Sequence, residues 1–299
     1  MNTEIKPSVD FIGIGAARSA STWIFDCLKE HPALCGASPK ETKFFLERGH
    51  AIAEYGKYYR DCPSGKLKGE FTPGYLYSAY AAETIRREYP MVKLIVCLRN
   101  PIERLISTTY HELMREGSDP SRVSDVAESV FASYPENEDA TLIRGKYFKA
   151  LQTYLALFPR EQMHISFYED IAKDPRAFMK ELYMFLDVDS SFVPSVLEKK
   201  INITAENERY SLTLNRAYYS ARDLLSKSVP GRLVKRILIA MGIKRAMKSL
   251  QKKNIRHEHL TPLAKKPMSN QKRIALRNYY DEDIRSLEKY MGRSLEDWR

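Results

Sequence analysis

Arg18, Ser21 and Thr22 stand at the end of a stretch, residues 9–28, that reads VDFIGIGAARSASTWIFDCL. Together they could hold an oxyanion. Hydroxyl residues suit a helix N-terminus, where unpaired amides and the positive end of the helix dipole favour negative charge, and a nearby guanidinium adds a full positive charge. The stretch is not a Walker A loop, because no Gly-Lys pair precedes the hydroxyl residue between Gly15 and Thr22. A phosphate-like ligand of another kind is expected. The competing reading is that small residues here only let a helix pack against a strand.

The elements needed to position these residues are legible. Val9, Phe11, Ile12 and Ile14 have the length and composition of a buried parallel strand, and Gly13 and Gly15 free the backbone for a turn. Lys93 to Leu98 is the clearest strand, and Pro101 can begin the helix 102–115 that follows. Arg99 then lies at the strand's C-terminal edge, where open α/β sheets bind ligands, and Ser107 lies two turns into the helix. A further strand is expected over 163–168, and helices over 51–59, 79–89, 142–158 and 175–186; residues 118–135 read as a surface excursion. Residues 270–299 carry apolar residues at helical intervals ending at Trp298, a tail expected to fold back on the body.

Composition bounds the class. The chain has 299 residues, 43% hydrophobic and 29% charged, enough for one large α/β core. Cys27, Cys35, Cys62 and Cys97 show no CxxC spacing and are expected as free thiols. No apolar run approaches the roughly 18 residues of a membrane span and no secretory leader is evident, so a cytoplasmic protein is expected. Of the net charge of +10, residues 205–259 supply +9 from thirteen basic and four acidic residues. Residues 229–247 within that segment could lie on a membrane surface, or the segment could be a helical lid with solvated charges.

Four separated motifs resemble the sulfotransferases that use 3′-phosphoadenylyl sulfate (PAPS), closest to the heparan sulfate and carbohydrate branch. Arg18-Ser19-Ala20-Ser21-Thr22-Trp23, preceded by Ala17, is similar to the family's 5′-phosphosulfate loop, with Arg18 for the usual Lys and Ala20 for the usual Gly. Residues 94–107, with Arg99-Asn100-Pro101 and Ser107 eight positions after the arginine, resemble the 3′-phosphate motif. A planar guanidinium can grip a phosphate in two places and a hydroxyl completes the shell. Residues 39–45, with Lys40, Glu41 and Lys43, and residues 69–75, with Glu70, resemble the heparan sulfate branch, in which the acid after Lys is the general base. There a Lys usually stands where Phe71 does. Phe167 to Ile171 resembles a segment that sets a tyrosine, here Tyr168, near adenine, with Trp23 as an opposing stack.

The resemblance implies one α/β domain over 1–299, a central parallel β-sheet flanked by helices in the sulfotransferase version of the P-loop kinase fold. Its core would be 9–200 and 260–299, with a basic helical excursion at about 205–258. It implies in-line transfer of a sulfuryl group to a hydroxyl or amine of a carbohydrate or glycolipid, with adenosine 3′,5′-bisphosphate (PAP) released and no metal needed. Arg18, Glu41 and His111 would be catalytic, Glu41 or His111 as base. Residues 17–23, Arg99, Ser107 and Tyr168 would bind the donor, and Lys40, Lys43 and Glu70 the substrate. The alternatives are a nucleotide-kinase-like phosphoryl transferase, for which magnesium carboxylates and a Walker lysine are not visible, and a non-catalytic basic adaptor for a membrane or polyanion. Nucleic acid is not an expected partner.

Overall fold

The computed structural model describes residues 6–115, 122–198 and 266–299. Its contacts divide the chain into two units: Met1–Ile106 with Asn137–Ile201 and Arg273–Arg299, and Ser107–Glu136 with Asn202–Lys272. The basic segment at 205–258, with the expected membrane contact at 229–247, lies outside the described residues.

The first unit is built on one sheet of five parallel strands in the order β2-β3-β1-β4-β5: β1 (Phe11–Gly15), β2 (Leu34–Gly36), β3 (Leu67–Phe71), β4 (Lys93–Leu98) and β5 (Met163–Phe167). Phe11, Ile12, Ile14 and Leu94 to Leu98 are fully buried, as central strands covered on both faces require. A Cβ on Gly13 would lie 2.2 Å from the Phe71 ring, so only glycine fits that position of β1 beside β3.

Helix α1 (Ser21–Glu30) follows β1 and packs Trp23, Ile24, Cys27 and Leu28 into a core shared with Phe178, Met179 and Leu182 of α8 (Pro175–Phe185). Between β3 and β4 runs α2 (Ala79–Glu88), and β4 leads into α3 (Pro101–Arg115), which belongs to the first unit through Ile106 and to the second from Ser107. The chain leaves β1 toward β2 on one side of the sheet and returns to β4 on the other. The loops after β1 and β4 therefore flank the point where strand order reverses, the place where doubly wound sheets bind ligands.

Three expectations change. Residues 142–158 form two helices, α5 (Ala140–Ile143) and α6 (Tyr147–Leu157), because Gly145 passes so close to Tyr280 that a Cβ would meet its ring at 2.6 Å. In the second unit the expected excursion contains α4 (Val123–Ala132), which buries Val123, Ala127 and Phe131 at four-residue spacing. Cys35 and Cys62 are not free thiols but a disulfide, since the end of β2 and the turn after Ile52–Tyr59 lie side by side with Cα atoms 5.8 Å apart. Cys27 and Cys97 are free and buried.

Helix α7 (Tyr168–Lys173) begins where β5 ends, and α9 (Asn270–Met291) buries Leu276, Tyr280, Ile284 and Leu287. The tail returns to the body, with Trp298 5.5 Å from the Phe167 ring and 6.1 Å from that of Tyr147. Among the described residues no helix is long and apolar enough to cross a membrane.

Candidate active site

The loop between β1 and α1 takes its shape from two non-glycine residues in the left-handed region, Arg18 at φ 66° and Ala20 at φ 61°. Each costs on the order of 1 kcal/mol or more, and backbone of this kind forms the concave arrays of amides that bind anions. The Ala16 amide donates to the Cys97 carbonyl at 2.8 Å, extending the β1–β4 pairing into the loop. The Arg99 guanidinium donates to the Arg18 carbonyl at 3.2 Å, so the two arginines expected at different phosphates meet at the ends of neighbouring strands.

The N-terminus of α1 is left without its usual partners. Its N-cap is Ala20, which makes no side-chain cap, and its first turn holds no acidic residue. Cations gather there instead. Lys40 donates from its ammonium to Ser21 Oγ at 3.0 Å and Thr22 Oγ1 at 3.2 Å. Burial, joined by the like charge of Arg99, pulls the Arg18 pKa below its ordinary value; burial also lowers that of Lys40, although Glu41 and Asp26 oppose it. Ser19, fully buried in the same loop, has an Oγ with no hydrogen-bond partner. A polar loop, an uncapped helix end and desolvated cations are costly together without a bound anion and stable with one. These residues fit the phosphosulfate end of a PAPS-like ligand.

Arg99 lies over Tyr168, its guanidinium carbon 4.4 Å from the centre of the ring. Asn100 caps α3, its Oδ1 accepting from the Ile102 and Glu103 amides, while its own amide donates to Glu169 Oε1 at 2.9 Å. Burial raises the Glu169 pKa, and its Oε2 has no partner. Asn100 and Glu169 are positioning residues beyond those expected from the sequence. The Asn-Pro pair was the available signal for the first, and a contact across 69 residues hid the second.

Glu41 is half-exposed, its Oε1 3.7 Å from the Lys40 ammonium. Lys43 is exposed, at φ 58°, with its amide donating to Thr72 Oγ1. Ser107, buried, and His111, half-buried, sit four residues apart on one face of α3 in the second unit. Trp23 is buried in the core with its ring 6.3 Å from that of Phe178, in the cluster against which Tyr168 also packs, and its indole Nε1 has no hydrogen-bond partner.

Glu70 is the clearest correction. It does not face a substrate: it is fully buried and accepts from the Thr42 amide and from the hydroxyls of Thr42, Tyr55, Thr72 and Tyr75, at 2.5 to 3.2 Å. Burial raises its pKa and the hydroxyl bonds pull it back. Its work is to fix residues 39–45 to β3, which sets where Lys40 and Glu41 stand. A cavity of about 610 Å³ lies at the other end of the sheet, where Lys6 pairs with Glu88 and Lys93 with Asp187, and contains none of the site residues.

The family described as sulfotransferase domain matches residues 83–229. The membrane-associated sulfotransferase kil1 of Dictyostelium discoideum is 24% identical over 264 residues, covering 60% of this chain and 56% of that protein. The heparan sulfate glucosamine 3-O-sulfotransferase 3B1 of Mus musculus is 27% identical over 179 residues, covering 58% of this chain and 44% of that protein. The chain thus spans about half the length of the curated relatives it matches. A sulfotransferase structure from Alicyclobacillus acidocaldarius has the same fold, with TM-score 0.65 at 19% identity, covering 98% of this chain and 99% of that one. The parallel sheet, its loops and these matches make the chain similar to sulfotransferases, with a sulfotransferase-domain match over residues 83–229 and a sulfotransferase fold.

Proposed function

We propose that this chain moves a sulfuryl group from PAPS to a hydroxyl or amine of a carbohydrate or glycolipid acceptor. The observation that carries the reading is the uncapped N-terminus of α1, faced by Lys40 and the Arg18 loop with cations held below their ordinary pKa values. When bound, the donor supplies a sulfuryl group on an activated phosphate, which leaves as PAP.

The chain's own residues then divide the work. Arg18 and the loop amides hold the negative charge that gathers as the sulfur–oxygen bond to phosphate breaks. Arg99, set between Tyr168 and the Arg18 carbonyl, grips the nucleotide's other phosphate. Glu41 takes the acceptor's proton as the new bond to sulfur forms; its exposure and its place beside Lys40 support it over His111 as the base. A carbohydrate acceptor is supported by the mouse relative, whose name specifies heparan sulfate glucosamine.

Calorimetry with PAP and with ATP–magnesium tests the donor. Selective binding of PAP is expected; binding of ATP–magnesium alone would favour a phosphoryl transferase, and binding of neither a basic adaptor. With radiolabelled PAPS and pooled carbohydrate acceptors, Glu41→Gln should lose at least about 100-fold in turnover while PAP binding is kept. Undiminished turnover would remove Glu41 from the mechanism.

A further inference from the structure

Lys40 was expected at the substrate, but its ammonium turns toward the donor loop. It comes from the segment after β2, crosses the Phe71 ring at 5.6 Å from the centroid, and ends on Ser21 Oγ and Thr22 Oγ1 at the start of α1. A cation seated on the positive end of a helix is repelled there, and two hydroxyls do not neutralise it. Glu41 at 3.7 Å offsets part of the charge, from a half-exposed position where attraction is weak. The Glu70 network holds the segment in this place, so the ammonium does not arrive by chance of a flexible side chain alone. The arrangement becomes favourable once an anion sits between the ammonium and the helix end.

We propose that Lys40 is a cation of the donor loop, supplied from a separate segment to the phosphate on the 5′ side of the nucleotide, and not an acceptor contact. The inference rests on the donor assignment made above. As the sulfur–oxygen bond breaks, its electron pair stays on that phosphate, and the Lys40 ammonium together with Arg18 holds the added charge. The same side chain, beside Glu41, ties the position of the base to the occupied loop.

The test compares binding of PAP with binding of adenosine 3′-phosphate, which lacks the 5′-phosphate. Lys40→Ala should weaken PAP by at least about 30-fold, the loss seen when one member of a desolvated charge pair is removed, and change adenosine 3′-phosphate by less than about twofold. Lys40→Arg should keep PAP within about fivefold, since it keeps the charge.

A second signature is pH. Lys40 is faced by Ser21, Thr22 and Asp26 of α1, by Glu41, and by Phe71 of β3, and its lowered pKa makes PAP affinity fall at alkaline pH as the ammonium is lost. In Lys40→Arg that fall should disappear. Unchanged PAP binding in Lys40→Ala, equal loss of both nucleotides, or an alkaline fall that persists in Lys40→Arg would each overturn the proposal. Failure of the unaltered chain to bind PAP would instead overturn the functional reading on which it rests.

Discussion

At the scale of single residues, the site is a set of positive charges whose backbone and burial suit an anion. Arg99 lies over the Tyr168 ring at 4.4 Å and is bonded to the Arg18 carbonyl. Arg99→Ala should weaken PAP by about 2–5 kcal/mol in calorimetry and, unlike Lys40→Ala, should weaken adenosine 3′-phosphate with it. Loss of PAP affinity alone would move Arg99 from the 3′-phosphate to the 5′ side. The types and spacing of Arg18, Arg99 and Lys40 were plain in the sequence. That Arg18 and Ala20 adopt left-handed backbone was not, because local sequence favours glycine or asparagine there and the surrounding sheet overrides that preference.

At the scale of elements, Glu70 governs the segment that presents Lys40 and Glu41. Five donors converge on one buried carboxylate. Glu70→Ala would leave the Tyr55, Tyr75, Thr42 and Thr72 donors buried without an acceptor and should destabilise the protein by about 3–5 kcal/mol in urea unfolding. Glu70→Gln keeps the shape but turns an amide toward donors, and should cost about 1–3 kcal/mol. A surface-like loss below about 0.5 kcal/mol in both would contradict the buried network. The strands β1 and β4 and the starts of α1 and α3 could be drawn from apolar runs and the Asn-Pro pair. The inward turn of Glu70 could not, since it depends on tyrosines 15 residues before it and five after it packing on the same side of β3.

At the scale of the whole molecule, stability should fall on the acid side for a reason located in β5. His164 packs against Phe185 and Phe178, at 5.3 and 6.5 Å, with a buried Nε2 that has no partner. Burial, aided by Arg160, lowers its pKa to about 4. The unfolded chain, with an ordinary histidine near 6.5, therefore binds the extra proton between those values. The stability is complete above about pH 6.5 and is lost as pH falls toward 4, by about 2 kcal/mol at pH 5. Urea unfolding at pH 7.5 and pH 5 should show His164→Gln losing about 2 kcal/mol less over that interval than the unaltered chain. An identical acid loss in both would place the titration elsewhere.

The sequence by itself determined the class: an α/β chain whose apolar runs must pair as a covered parallel sheet, with a small-residue loop before a helix and an arginine after a strand, in the order of a sulfotransferase. Periodicity and turn chemistry are local, so one chain segment suffices to state them. The tertiary structure decided which polar groups share a site. It set Lys40 on the start of α1, Arg99 on the Arg18 carbonyl, Glu70 inward, and Cys35 beside Cys62. Each of these joins residues 5 to 81 positions apart. A contact of that kind exists only once strand order and burial have fixed where each segment ends.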